Sequence, residues 1–392
     1  MSAPPRRPAA SAPERSGAPR RFRDDPLEVL EHLIDHVGDR SPASVAEARA
    51  AAYFNGRLRR AGMQVAIDTF TIVAPPGYDG LLLAGCAVLG AVIGYWWPAV
   101  ALGAATLTLL AGIVAMMRRD PLLAPRRTSQ NVIATRASTE AARLTVVVLV
   151  ALDNAPPAAA WRAWWFDERR IRTWRVVLAG LLAACTLASV LDPRQPWWYA
   201  QCALALLLAA LAGVGYGRGR LRHGGHIQAG EFAAALLAAG SIIAHTRVEL
   251  WIAGIGALSV GHGIDDMLKR YPFDPATTLF IALDGIAAGA PQAAVAPRRT
   301  PEPWDAVLGE VLVASGFGIS PIAGRQHPVA LRLHQQARQR LVTIGSAEGP
   351  AAARTSGDVA ARAGLSVRSI EQVAERLTTL LRLLDERLAP HP

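Results

Sequence analysis

The sequence predicts a layered α/β domain interrupted by two transmembrane helical hairpins. Two paired uncharged runs, each turned by aromatic residues and flanked by arginines, predict the hairpins. Short apolar strand-like runs alternating with helical spacing in the remainder predict the sheet and its covering helices. Apolar residues make up 52% of the 392 positions and only 18% are charged, which excludes disorder as a description of the whole chain.

The elements follow in chain order. Residues 1–26 are rich in Pro, Ala, Ser and Arg, contain no apolar signal-peptide core, and read as a disordered basic tail. Residues 27–75 open the folded domain: Leu27 to Val37 and Ser44 to Ala61 have helical spacing, and Met63 to Val73 alternates as a strand. Ser44 with Glu47 three residues on forms a capping box, which places the start of the second helix. Residues 79–117 form the first hairpin. As one helix, the uncharged stretch 81–117 would run about 55 Å against a hydrocarbon core of about 30 Å, so Tyr95, Trp96, Trp97 and Pro98 mark a turn between two spans.

Residues 118–172 return to the domain, with strands at Asn131 to Thr135 and Leu144 to Leu152. Residues 173–217 form the second hairpin, turned at DPRQP beside Trp197, Trp198 and Tyr199, giving four spans in all. Residues 218–388 complete the domain. Strands are expected at Val248 to Ala253 and Thr278 to Leu283, and helices at Glu231 to His245, Ala257 to Tyr271 and Val367 to Leu388. The last helix carries Ile370, Val373, Leu377, Leu380, Leu381 and Leu384 on one face, suited to covering a sheet. Residues 291–303 (PQAAVAPRRTPEP) read as a flexible surface loop.

Charge sets the expected partners and orientation. The 41 basic residues exceed the 31 acidic ones by 10, and Lys269 is the single lysine. Arg118, Arg119, Arg126, Arg127, Arg169, Arg170, Arg172, Arg175, Arg218, Arg220 and Arg222 flank the spans, whereas the tight loops carry only Arg194. The positive-inside rule then predicts a multi-pass cell-membrane protein with its soluble domain in the cytoplasm and anionic phospholipid against the arginines. Nucleic acid is not an expected partner, because the arginines cluster at membrane exits and no aromatic-interleaved basic strand is present. A protein or peptide partner is expected but has no identifying residues. Cys86, Cys185 and Cys202 lie in apolar runs with no CxxC spacing and read as core residues.

Two strands end in an aspartate: Asp153 closes VVVLVALDN and Asp284 closes LFIALDG, the strand ends at which open α/β sheets bind ligands. These aspartates, the helical LEHLIDHVGDRSPASVAEARAAAYFNGRLRRAGMQVAIDTFTI, the strand TSQNVIATR and the order of the later segments resemble the zinc aminopeptidases of metallopeptidase family twenty-eight, clan MH. The likeness spans about residues 27–75, 129–160 and 224–388, with the hairpins as insertions, and implies a three-layer sandwich around a mixed sheet.

An active member of that family holds two zinc ions with imidazoles and carboxylates, and a further Glu takes a proton from the bridging water. The resemblance places Ala151 at the first metal-binding His, Asp153 at the Asp behind it, and Gln228 at the bridging Asp. It places Ala253, Gly254 and Ile255 where the Glu-Glu pair is expected, Asp284 at a retained carboxylate ligand, and Arg354 at the last His, with Asp358 following. Of the direct ligands only Asp284 survives. The implied protein is a pseudopeptidase without cofactor that acts by binding, scaffolding or regulation, its pocket candidates being Asp153, Asp284, Arg354 and Asp358, with Arg354 pairing one of the aspartates. The competing reading is an active zinc aminopeptidase of the same family. A third is a transport-related membrane protein, against which stands the absence of ionisable side chains in the spans. A relocated metal would use His223 and His226, or His262 near Asp265 and Asp266, brought together with Asp284, and no group has a specific ligand spacing.

Overall fold

The computed structural model describes residues 24–73, 78–118, 125–154, 168–192, 195–220, 227–242, 245, 247–286, 288–296, 303–319, 339–348 and 365–387. Asp25 caps α1 (Pro26–Glu31), accepting from the amide of Leu27. A π-helical turn over His32–Val37 follows and ends at Gly38, whose φ of 72° suits glycine. In α2 (Val45–Arg60) the Ser44 hydroxyl accepts from the Glu47 amide, as the capping box predicts. Then come β1 (Gln64–Val73), α3 (Asp79–Ile93), α4 (Pro98–Met117), β2 (Arg126–Arg136) and β3 (Leu144–Ala151). The second helical pair is α5 (Glu168–Leu191) and α6 (Gln195–Arg220), followed by α7 (Ile227–Ser241), β4 (Val248–Ile255), α8 (His262–Arg270) and β5 (Thr278–Leu283). The chain closes with β6 (Ala288–Val295), α9 (Pro303–Ala314), β7 (Gly318–Ile319), β8 (Arg340–Glu348) and α10 (Val367–Arg387).

The strands form one mixed sheet in the order β1-β2-β4-β3-β5-β8-β6-β7. The centre, β4-β3-β5-β8, is parallel, and β1, β2 and β6 add antiparallel edges. Central strands are apolar on both faces because both faces are covered. Val146, Val148 and Val150 of β3 pack with α1, α2, α7, α9 and α10, whereas Val147, Leu149 and Ala151 pack with Ile264 and Met267 of α8. The six apolar residues on the predicted face of α10 are buried. This is the expected three-layer α/β sandwich.

Three expectations are corrected. Residues 291–295 belong to strand β6, which pairs antiparallel with β8 from Pro291 opposite Ser346 to Val295 opposite Val342, and Pro291, Ala293 and Ala294 are buried. The helix expected from Ala257 is a 3-10 turn, Leu258–Val260, followed by α8, because Ala257 and Gly261 both take left-handed backbone conformations. Finally, among the described residues three helical segments are long and apolar enough to cross a membrane, Pro98–Met117, Thr173–Leu191 and Pro196–Val214, while α3 has 15 residues. At 1.5 Å per residue α3 reaches about 22 Å, short of a core of about 30 Å.

The four apolar helices pack around small residues, with Ala87, Ala91, Ala105 and Ala205 beside Leu182 and Leu208 inside. Leu89, Trp96, Trp97, Leu107 and Leu206 face outward, each more than 60% exposed. Alanines inside and large apolar side chains outside suit helices that could sit in lipid. The Trp198 indole donates to the Ala91 carbonyl at 3.0 Å and joins the second hairpin to the first.

Candidate functional site

The carboxyl ends of the parallel strands converge on a buried polar cluster. Arg40, in the turn between the π-helical segment and α2, is fully buried. Its Nε donates to the Leu152 carbonyl at 3.0 Å, and its own carbonyl accepts from the Asn154 amide at 2.8 Å, so this turn is stitched to the end of β3. Among the described residues neither Nη1 nor Nη2 has a hydrogen-bond partner, and the side chain faces the carboxyl groups of Asp153 and Glu231. Burial pulls its pKa down to about 10, opposed first by Asp153 and then by Glu231, so it stays cationic at neutral pH.

Asp153 is fully buried with both carboxylate oxygens engaged: Oδ1 accepts from the Leu258 amide at 2.9 Å and Oδ2 from the Ser259 amide at 3.0 Å. Burial raises its pKa, and those amides oppose the rise. Glu231, in the first turns of α7, accepts from the Gly285 amide at 2.8 Å through Oε1. Burial and then the neighbouring Asp284 push its carboxyl well above the usual range. Glu47 accepts from the Ser129 hydroxyl at 2.5 Å and from the amides of Ala257 at 3.0 Å and Ala43 at 3.1 Å. Its pKa still rises to about 7, because burial and then Asp153 outweigh those donors. Asn131 completes the frame, accepting from the Gly256 amide and donating to the Gly263 carbonyl.

The expected positions fall around this cluster. Ala151 ends β3 opposite Ile255 of β4, and Ile255 turns into the core on the α8 side. Gly254 faces the ring of Phe54, which an added Cβ would meet at 2.8 Å, so no carboxylate side chain fits there without displacing it. Gln228 is half-buried and its Oε1 has no hydrogen-bond partner among the described residues, and Asp284 is half-buried beyond β5 with its amide on the Ile344 carbonyl. Arg354, Asp358, His223 and His226 lie outside the described residues. Among the described residues, Arg40 is a cation that faces Asp153.

Sequence reasoning missed Arg40, which nothing in the surrounding GDRSP distinguishes from the other arginines, and the site role of Glu231. For Glu231 a signal existed: it is the lone charge in the apolar run IQAGEFAAALLAAG. Such a residue on an apolar helix needs a buried partner.

Comparison with solved structures gives the same architecture. A zinc aminopeptidase from Bacillus subtilis superposes with a TM-score of 0.50 at 11% identity, covering 92% of this chain and 94% of that one. The fold is that of a zinc aminopeptidase. An aminopeptidase from Aneurinibacillus sp. strain AM-1 is also matched, with a TM-score of 0.48, 12% identity and coverage of 91% and 93%. Macrostomum lignano glutaminyl cyclase matches at 0.49 and 11%, covering 98% of this chain and 97% of that one. No family model and no curated protein matches the sequence.

Among the described residues, the side chains of this cluster fit zinc poorly. Both oxygens of Asp153 and one oxygen of Glu231 already accept backbone amides, and Arg40 places a fixed positive charge beside them. Among the described residues no group of three or more His, Cys, Asp or Glu is placed to hold a metal ion.

Proposed function

We propose that this chain is a multi-pass membrane protein whose cytoplasmic aminopeptidase-fold domain has no peptidase activity and acts by binding, as a scaffold or regulator. The observation that carries the reading is the buried Arg40 beside Asp153 and Glu231, a cation built into the end of the sheet where the zinc-aminopeptidase resemblance expects dinuclear metal chemistry. The neutral Ala151, Gln228, Gly254 and Ile255 support it. The arginines flanking the spans favour a cytoplasmic domain and anionic phospholipid as the lipid partner.

The test is metal content and release of amino acids from peptides by the full chain purified in detergent, compared with Asp284→Ala. Negligible zinc and negligible release in both are expected. Stoichiometric zinc with chelator-sensitive release in the wild type alone would establish the active zinc aminopeptidase instead. Protease protection of tags in the loop after Asp192 and at the C-terminus tests sidedness, and opposite sides are expected.

A further inference from the structure

Both helical hairpins leave the sheet from the same edge. In hairpin one, Val73 at the end of β1 pairs with Arg126 at the start of β2. Because β2 runs antiparallel to β4 with Val132 opposite Gly254, this ribbon end lies beyond the carboxyl end of β4. In hairpin two, the chain departs after Asn154, just past the carboxyl end of β3. It returns at α7, whose Glu231 is bonded to Gly285 just past the carboxyl end of β5 and whose Gly230 lies against the Ile286 carbonyl.

Two of the connections are short. Val73 and Tyr78 are five residue steps apart, which limits them to about 18 Å, and Arg220 and Ile227 are seven steps apart, about 25 Å at most. The hairpins themselves are packed into one helical bundle, so the tethers hang from a common body. Arg118, Arg126 and Arg127 are exposed along the first tether.

From this placement we infer that the carboxyl edge of the sheet, with the Arg40–Asp153–Glu231 cluster behind it, is held against the headgroup layer of the bilayer, and that anionic phospholipid is the partner of this edge. The inference rests on the membrane reading above. The amino edge, at Ala142 before β3 and Thr277 before β5, then points away. The eight residues of β3 separate the two edges by about 26 Å.

The test places a fluorophore at Ala290→Cys or Thr128→Cys on the carboxyl edge and at Ala142→Cys or Thr277→Cys on the amino edge. All four positions are exposed, and the background carries Ala at Cys86, Cys185 and Cys202. In full-length protein reconstituted in phosphatidylcholine–phosphatidylglycerol vesicles, energy transfer to a headgroup-borne acceptor is expected to be about twofold or more greater from the carboxyl edge, given that separation. Photoactivatable phosphatidylglycerol applied to the unaltered chain gives a second readout, with adducts expected on 126–129 and 288–292 and not on 139–143 or 274–278. Equal transfer or adducts on the amino edge, in protein that resists alkaline extraction from membranes, would overturn this orientation alone. Release by alkaline extraction would overturn the membrane reading and this inference with it.

Discussion

Arg40 and Asn154, far apart in the chain, share a backbone hydrogen bond of 2.8 Å, and the guanidinium of the first returns a bond to Leu152. The turn before α2 is thereby locked onto the end of β3, with a fixed positive charge set among buried carboxylates. A cation in this position changes what each neighbouring group can do.

Replacing Arg40 with Met is expected to destabilise the protein by about 3–5 kcal/mol, because the buried acids Asp153 and Glu231 lose the cation that favours their ionised forms. Thermal unfolding in detergent measures it. Adding Glu231→Gln should recover part of the loss; a double variant no more stable than Arg40→Met would show that the guanidinium acts through packing alone.

Glu47 predicts a pH dependence of definite sign. Its carboxyl rises from 4.5 to about 7 on folding, so between those values the folded chain holds a proton that the unfolded chain has released. Its contribution is therefore fully present below about pH 4.5 and lost as pH rises through about 7, worth about 3 kcal/mol. In Glu47→Gln the amide can donate to the Ser129 hydroxyl while its oxygen accepts from Ala43 and Ala257, copying the protonated acid. Unfolding followed from pH 4 to 8 should lose this component in the variant.

Gly263→Ala should cost about 3 kcal/mol or more, since its Cβ would overlap the Gly256 carbonyl, backbone that is itself held by Asn131. Gly254→Ala should cost less, because the obstacle is the Phe54 ring, which can shift slightly. Chemical unfolding of the two variants side by side gives the order.

Trp198→Phe removes the indole bond to Ala91 that joins the hairpins while keeping an aromatic ring, and should cost about 1 kcal/mol. Thermal stability in detergent is the readout. An unchanged melting temperature would mean that the hairpins are held by their small-residue faces alone.

Local pattern made much of the fold legible. The N-cap at Ser44, the uninterrupted apolar run of β3 and the buried stripe of α10 each depend on neighbours within a few residues, and each forms as the spacing predicts, although the Glu47 carboxylate leaves the capping box and accepts from Ala43, Ser129 and Ala257 instead of Ser44. The strand β6 was not legible, because its Pro291 and small residues carry no strand propensity and its place is set by pairing with the distant β8.

By itself the sequence determined the helices α2 and α10, the strands β1, β3, β4 and β5 and the long apolar helices, since periodicity and uninterrupted apolar length are local properties. Only the tertiary structure decided that Glu47 reaches Ala257, that Arg40 is a cation beside Asp153, and that both hairpins leave from one edge of the sheet. Burial makes the difference: a charge that is ordinary in water has its acidity and its partner set by whatever the fold brings within a few ångströms, and sequence distance carries no record of that.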